Sequence, residues 1–594
     1  MKDHLYYFLI TTTIMIFLTS NNLIGRVVTV STATNFKTAI ANLQPGDTVN
    51  VLDGTYDLNA YIDVTVSGTQ VNPILINAKN RGKVTFINNS FFDLKGVSYI
   101  TIEGFVFNSA DGTAVKIESC HFVRVTRNVF HIQETVGSKW VLIQDLYNAT
   151  APNSDHNRID HNLFENKSLV GNMITTDGYE GTPTQSSQYD RIDHNYFRNT
   201  GPRITNGMET IRLGVSSLSS TSGFTTVEYN LFENCDGDPE FVSVKTDDNI
   251  IRYNTFRGCM GSLCLRQTSR SIAEGNFFLG NGKDSTGGVR VYRLDNTIFN
   301  NYFADLRGST WDAALTLTNG DVDSNSTSQS SHCRPIRTTF VFNTLVNNKS
   351  NIEIGYTNSG SYTKPPRQNT IANNIIVGST GQLIKYITSP LTQTYQSNIM
   401  FPKDSSTLGI TSTYNQIKVI DPLFIFSDSL WRLSSQSPAI DSATGNYAFV
   451  LYDIDGQSRA NNKDIGADEY SVGRIINHPL GPNDVGPDSP DTEIILSVKT
   501  PVNSAFPLNY SLFQNYPNPF NPTTKIQYSI AKRSVVGLKV FDVLGREVAK
   551  LVSGLKESGN YEVNFDASKL ESGLYIYTLR IGNFSTSKKM LLLK

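Results

Sequence analysis

Six polar residues fall at related phases of a repeating phrase. The phrase is Asn, any residue, then a large apolar residue. Asn206 lies 11 residues after Asn195, and Asp238, Glu240 and Lys245 lie 8, 10 and 15 after Asn230. Arg266 lies 12 after Asn254, and Arg290 lies 14 after Asn276. If successive turns are wound alike, these side chains form one stripe, about 4.8 Å apart from turn to turn. Asp238 and Glu240, two apart on a strand, point the same way. Two carboxylates and the Asn206 amide oxygen make a hard, all-oxygen cluster suited to Ca2+. Lys245 and Arg266 lie beside it, 21 residues apart and so close to one full turn. Strict alternation would put Lys245 on the opposite face from Glu240, so a turn or bulge must restore the orientation. Taken singly, each of these residues reads as solvated charge or a turn residue. Their coincidence in one sector is what points to a site.

The elements that must position this stripe follow from the phrase itself. It occurs as Asn128-Val129-Phe130, Asn162-Leu163-Phe164, Asn195-Tyr196-Phe197, Asn230-Leu231-Phe232, Asn254-Thr255-Phe256, Asn276-Phe277-Phe278 and Asn301-Tyr302-Phe303. Weaker copies begin at Asn343, Asn374 and Asn398. The shortest steps set a period of about 22 to 25 residues, and longer steps add loops, which is the signature of a solenoid. Pieces such as Ser98–Ile102 and Asn249–Tyr253 are short and β-prone. Leucine-rich repeats share the period but need regularly spaced leucines, which are missing. The reading is therefore all-β: a parallel β-helix, three short strands per coil, with stacked Phe and Ile as core and stacked Asn as a polar ladder. The phrase residues are structural.

Both ends agree. Thr34 to Leu43 spaces Phe36, Ile40 and Leu43 at helical intervals and stops at Pro45-Gly46, giving a short amphipathic helix that closes an open strand edge. Ser437–Asp441 and Asp464–Glu469 resemble closing segments of secreted β-helix proteins. Asp453-Ile454-Asp455-Gly456 lacks the remaining ligands of a calcium loop and reads as a turn. The expected organisation is a signal peptide at 1–25, a β-helix domain at 26–475, a Pro/Gly/Asp/Ser-rich linker at 476–505 and a C-terminal antiparallel β-sandwich at 506–594. Lys2, the apolar run from Leu5 to Leu18 and the small residues after it carry the first assignment, with cleavage between Ser20 and Gly25. Clean alternation in Lys525–Ile530, Val536–Asp542 and Tyr575–Leu579 carries the last.

Composition narrows the function. The 594 residues hold 51 Lys+Arg against 53 Asp+Glu, a net charge of −2, which excludes a grossly basic nucleic-acid binder. Five cysteines, without a Cys-x-x-Cys pair, make neither a disulfide framework nor a structural zinc site. Cys259 and Cys264 read as unpaired small apolar residues. Tyr179 and Tyr189 read as packing residues rather than sugar-stacking ones.

Several segments resemble polysaccharide lyase family 6, the alginate lyase and chondroitinase B family. They are Asn206–Gly214, Cys235–Lys245, Leu265-Arg266, Glu274–Gly282 and Gly287–Arg290, and the similarity runs over most of residues 27 to 470. The resemblance implies a parallel β-helix, β-elimination on uronate-containing chains, Lys245 as general base and Arg266 as general acid. It also implies Asn206, Asp238 and Glu240 as Ca2+ ligands, and Arg212, Arg290, Arg293 and Gln267 as substrate-binding residues. Asp238 stands where the family usually has Glu, and Gln267 where many members have His. The implied partner is an anionic polysaccharide: alginate, or dermatan sulfate as in chondroitinase B. Two other classes stay open on the residues alone. One is a β-helix glycoside hydrolase using Asp238 and Glu240 as its acid pair; the other is a non-catalytic polysaccharide-binding surface protein. The segment Gln514–Pro522 and the ending Lys588–Lys594 resemble the C-terminal sorting domain of type IX secretion substrates. That resemblance implies secretion machinery as a second partner and a secreted or cell-surface location.

Overall fold

A computed structural model describes residues 25–490 and 511–593, apart from short stretches at 111, 147–152, 325–329, 379, 412, 414, 514, 516–517, 531–533, 557–558 and 582–583. The expected signal peptide and the part of the linker at 491–505 lie outside the described residues.

Among the described residues, three parallel sheets of fourteen, twelve and fourteen strands run the length of the first domain. We call them sheets I, II and III. Each coil contributes one strand to each sheet and pairs in register with the coils before and after it. In sheet III, for example, Phe232 pairs with Phe256, which pairs with Phe278. The chain is thus a right-handed parallel β-helix, with strand crossovers of the hand expected for parallel β-connections.

The Asn-x-Phe phrase builds this stack in two ways. Its Phe rings point inward and stack coil on coil, with centroids 4.4 Å apart for Phe130–Phe164 and 4.9 Å for Phe256–Phe278. Its Asn side chains form a buried ladder. The Asn254 main-chain N–H and Nδ2 both donate to Asn276 Oδ1 at 3.0 Å. Asn254 Nδ2 also donates to the carbonyls of Val227 and Arg252. Each rung therefore satisfies polar groups that the tight turn between sheets I and III would otherwise bury unpaired. The residue before each ladder Asn is left-handed, as at His161, His194, Tyr229 and Tyr253.

The helix Ala33–Ala41 covers the first coil, capped by Thr32, whose hydroxyl accepts from the Asn35 N–H. Phe36 and Ile40 face inward from it. The far end is different. The hairpin Phe424–Ser427/Leu430–Leu433 and the chain after it run back along sheet III. Leu430, Ile454 and Ala467 pack on Phe277 and Tyr302, and Leu480 and Val485 pack on Tyr196 and Leu231. Arg127 then donates to the carbonyls of Pro487 and Ser489. Residues 476–489, read from composition as the start of a linker, are part of this strap. Their few apolar side chains are buried, which a count of Pro, Gly and Asp does not show. Asp453–Gly456 is a turn, as expected, and its Asp455 is ion-paired with Arg432.

The C-terminal unit is antiparallel, in sheets of three and four strands. Ile526, Tyr528, Leu538, Val540, Tyr577 and Leu579 alternate inward to form its core. All five cysteines are free and buried. Tyr189 packs as expected, between His156 and Phe224 in a ring stack. Among the described residues, no helix is long and apolar enough to cross a membrane.

Candidate active site

The outer face of sheet II carries the charged stripe. Arg212 pairs in register with Ser243, Ser243 with Cys264, and Cys264 with Arg290. Lys245 and Arg266 each follow this column by two residues, so they stand level on successive coils. The bulge required by the sequence is present. The pairing of Glu240–Val244 with Gly261–Leu265 shifts between Glu240 and Val242, leaving Phe241 as the extra residue. Phe241 and Val242 both enter the core, so Glu240, Ser243 and Lys245 all face outward.

Three carboxylates gather here. Asp238 is buried and accepts main-chain N–H donors from Met208 (3.1 Å) and Glu240 (2.8 Å). Glu240 accepts from the Ser243 hydroxyl at 2.7 Å. Glu209, which the residue-by-residue reading passed over, is also buried and accepts from Asn172 Nδ2 at 2.9 Å. Its signal was its place, three residues after Asn206 in the same segment. Burial, then the charges of Glu209 and Glu240, push the Asp238 carboxyl up to about 7. Burial also pushes Glu240 up, but Arg266, Arg290 and Lys245 outweigh it and hold that carboxyl below its ordinary value. Asp238 is thus a buried carboxylate among like charges, with main-chain N–H donors but no ion pair of its own among the described residues. A hard cation would relieve that repulsion, and Glu209, Asp238 and Glu240 offer the oxygen donors Ca2+ takes, although their oxygens do not all lie within 4.8 Å of one another. Asn206 lies on the exposed turn leading into strand Ile211–Leu213.

The cations are arranged around these carboxylates. Lys245 Nζ lies 3.5 Å from Glu209 Oε1 with 16% of its side chain exposed. Arg266 Nε lies 3.4 Å from Glu240 Oε1, and its guanidinium stands 5.4 Å over the Tyr292 ring. Arg266 Nη1 and Arg212 Nε are buried without a hydrogen-bond partner among the described residues. Arg212 Nη2 donates to both oxygens of Asp177 at 3.1 Å. Arg293 Nη1 donates to the Ser219 carbonyl.

Two residues expected to touch substrate do not face it. Arg290 is 1% exposed. Its guanidinium donates to the carbonyls of Pro239 and Trp311 and the Ser262 hydroxyl, and lies 3.6 Å from both Glu240 and Asp312. It holds the bulge and the Glu240 carboxylate from behind. Gln267 is likewise buried, 1% exposed. Spacing placed Arg290 in the sector and the family resemblance placed Gln267 beside Arg266, and neither gives the depth of a side chain.

The structure also adds residues from later coils. His332 packs against Tyr292 and Tyr362, with ring centroids 5.2 and 4.7 Å away. Burial, followed by the Arg266 charge, pushes this imidazole down to about 3. Trp311 lies over Arg290 at 4.7 Å. The unusually long step from Asn301 to Asn343 contains His332 and Trp311, and no repeat phrase marks them.

The chain belongs to the chondroitinase B family, whose model matches residues 30–420. The secretion system C-terminal sorting domain matches residues 514–593, which marks the protein for secretion or the cell surface. Among solved structures, the PL6 family alginate lyase AlyGC superimposes with a TM-score of 0.62 at 25% identity, covering 77% of this chain and 60% of that one. The chain therefore spans about three fifths of the length of that lyase. A mannuronic acid specific family 6 lyase from human gut microbiota superimposes with a TM-score of 0.56 at 26% identity, covering 66% and 91%. The family 6 lyase Pedsa3628 from Pseudopedobacter saltans shares the fold at 19% identity and a TM-score of 0.53, covering 78% and 99%. No curated protein sequence matches the chain.

Proposed function

We propose that this protein is a secreted polysaccharide lyase that cuts 4-linked uronate chains, alginate foremost, by β-elimination. One observation carries the reading: Lys245 and Arg266 stand level on successive coils, on either side of Glu209, Asp238 and Glu240. Two relatives at 25–26% identity, the alginate lyase AlyGC and a mannuronic acid specific family 6 lyase, favour alginate over dermatan sulfate.

Elimination removes the proton at C5, next to the uronate carboxylate, and expels the oxygen on C4. Lys245 takes the C5 proton in its uncharged form, from a position fixed by the bulge and by Glu209. The C5–H electron pair forms the C4–C5 double bond as the C4–O4 bond breaks. Arg266, with an unused N–H on Nη1, hydrogen-bonds the departing O4. A guanidinium is a poor proton donor, so its share is electrostatic stabilisation of the leaving oxygen, which takes its proton from water while Lys245 returns the C5 proton to solvent. Asp238, Glu240 and Glu209, with Asn206 from the turn, would hold Ca2+. When bound, Ca2+ neutralises the substrate carboxylate and stabilises the charge that develops beside C5.

The test is ultraviolet absorbance of the protein with alginate and with dermatan sulfate, each with and without a calcium chelator. Elimination leaves a conjugated double bond that absorbs, and hydrolysis does not. A rise on alginate that the chelator suppresses is the expected result. Chain shortening without absorbance would move the protein to the hydrolases. Binding without shortening would make it a polysaccharide-binding surface protein.

A further inference from the structure

A cavity of about 620 Å3 lies beside the stripe, lined by three cations, Arg203, Arg307 and Lys349, two acids, Asp284 and Asp312, and Ser309 among others. Its walls are the turns leading into strands Thr286–Val291, Leu315–Leu317 and Ile352–Ile354 of sheet II. These coils follow those of Lys245 and Arg266. The cavity joins the site through a chain of alternating charge. Arg203 Nη2 donates to Asp312 Oδ2 at 2.7 Å, Asp312 Oδ1 lies 3.6 Å from Arg290, and Arg290 lies 3.6 Å from Glu240. Asp312 is thereby committed to two arginines. Trp311, between Thr310 and Asp312, packs over Arg290 and edge-on to Tyr356.

Two cations in the cavity are not so committed. Lys349 is exposed and has no ion pair among the described residues. Arg307 donates to the Asn347 carbonyl, and its carboxylate neighbour, Asp305, is 3.9 Å away. A guanidinium fork and an ammonium border this one cavity, while the Thr310 N–H and hydroxyl are already given to Glu353 Oε1 and the Ser309 carbonyl, so the two cations are what a uronate carboxylate would meet.

We propose that this cavity is a subsite for the carboxylate of a uronate residue distant from the bond being cut, so that the enzyme favours longer chains. The inference rests on the lyase reading above. It assigns Arg307 and Lys349 a role in chain-length preference and no role in the chemistry.

The full-length Arg307→Ala/Lys349→Ala variant tests it against purified alginate oligosaccharides of graded length. The quantity read is kcat/KM on the longest oligosaccharide divided by that on the shortest one cleaved. Loss of charge-assisted contacts to one carboxylate lowers that ratio about tenfold, carried by KM. Added NaCl shrinks the wild-type ratio toward that of the variant, and Arg307→Lys/Lys349→Arg retains most of it. An unaltered ratio overturns the subsite. A separate arm measures calorimetric affinity for the longest oligosaccharide in a Lys245→Ala background, with and without the double substitution. Equal affinities there overturn the subsite even if wild-type protein forms no unsaturated product, an outcome that would sink the lyase reading on its own.

Discussion

Glu240 and Lys245 point to the same side of sheet II although five residues separate them, because Phe241 is inserted as an extra residue between them. Phe241 and Val242 are both buried, so the alternation skips one step and Lys245 emerges beside Glu209 rather than in the core. The bulge is thus the backbone device that turns a pattern of charges into a site, and such devices recur next to active sites.

If Lys245 removes the C5 proton, Lys245→Ala lowers the rate of unsaturated product formation by at least about 100-fold, the usual contribution of a positioned general base. Its side chain is partly exposed and makes one long ion pair, so circular dichroism and the thermal midpoint stay near wild type. Full activity in this variant would rule out the lyase mechanism and leave the Asp238/Glu240 hydrolase reading.

Arg290 behaves differently. Its guanidinium is enclosed and shared between Glu240, Asp312 and the Pro239 carbonyl. Arg290→Leu takes one cation from each of two carboxylates, which keep Arg266 and Arg203, and strips the Pro239 and Trp311 carbonyls of their donor, which costs about 1–3 kcal/mol. The expected readout is a lowered unfolding midpoint in urea for the β-helix domain. A raised KM with stability intact would instead make Arg290 a substrate contact.

The ladder sets the coil period, and it was legible in the sequence because every rung solves the same problem with the same residue. Asn254, Asn276 and Asn301 sit at equal turns and satisfy equal donors. The sector of Glu240, Lys245 and Arg266 followed from that period. Depth did not: Arg290 and Arg212 share one column, yet one is enclosed by later loops and the other keeps part of its surface. Nor did long-range additions. His332 reaches the Arg266 shelf from a 42-residue step between Asn301 and Asn343, where no periodic phrase gives a phase. The strap at 476–489 was misread because isolated buried residues such as Leu480 and Val485 carry no pattern of their own.

The carboxylate cluster makes a prediction about calcium that does not depend on turnover. Asp238 is raised to about 7 by burial and by its like-charged neighbours, so a bound cation relieves repulsion in the folded state only. At a free Ca2+ concentration about 100 times the dissociation constant, binding to the native state alone adds about 2.7 kcal/mol. Wild-type protein gains thermal stability on Ca2+ addition and loses it to a chelator. Asp238→Asn and Glu209→Gln each blunt that gain, and terbium luminescence titrations weaken in parallel. A wild-type melting curve indifferent to Ca2+ would remove the metal from the site.

Acid sensitivity should trace to His332. Its imidazole is pushed down to about 3 by burial and by the Arg266 charge, whereas in the unfolded chain it titrates near 6.5. The unfolded state therefore binds more protons below pH 6.5, and stability falls as pH drops from there toward 3. Between pH 7 and pH 5 this one group removes about 2 kcal/mol. His332→Gln keeps the packing on Tyr292 and Tyr362 in part and abolishes the proton uptake. The check is urea unfolding of wild type and His332→Gln at pH 7 and pH 5. The wild type loses stability over that interval, and the variant loses less by the amount assigned to this ring. Equal losses in the two proteins would mean that His332 is protonated in the native state, held by Asp321, whose Oδ2 lies 3.7 Å from Nδ1.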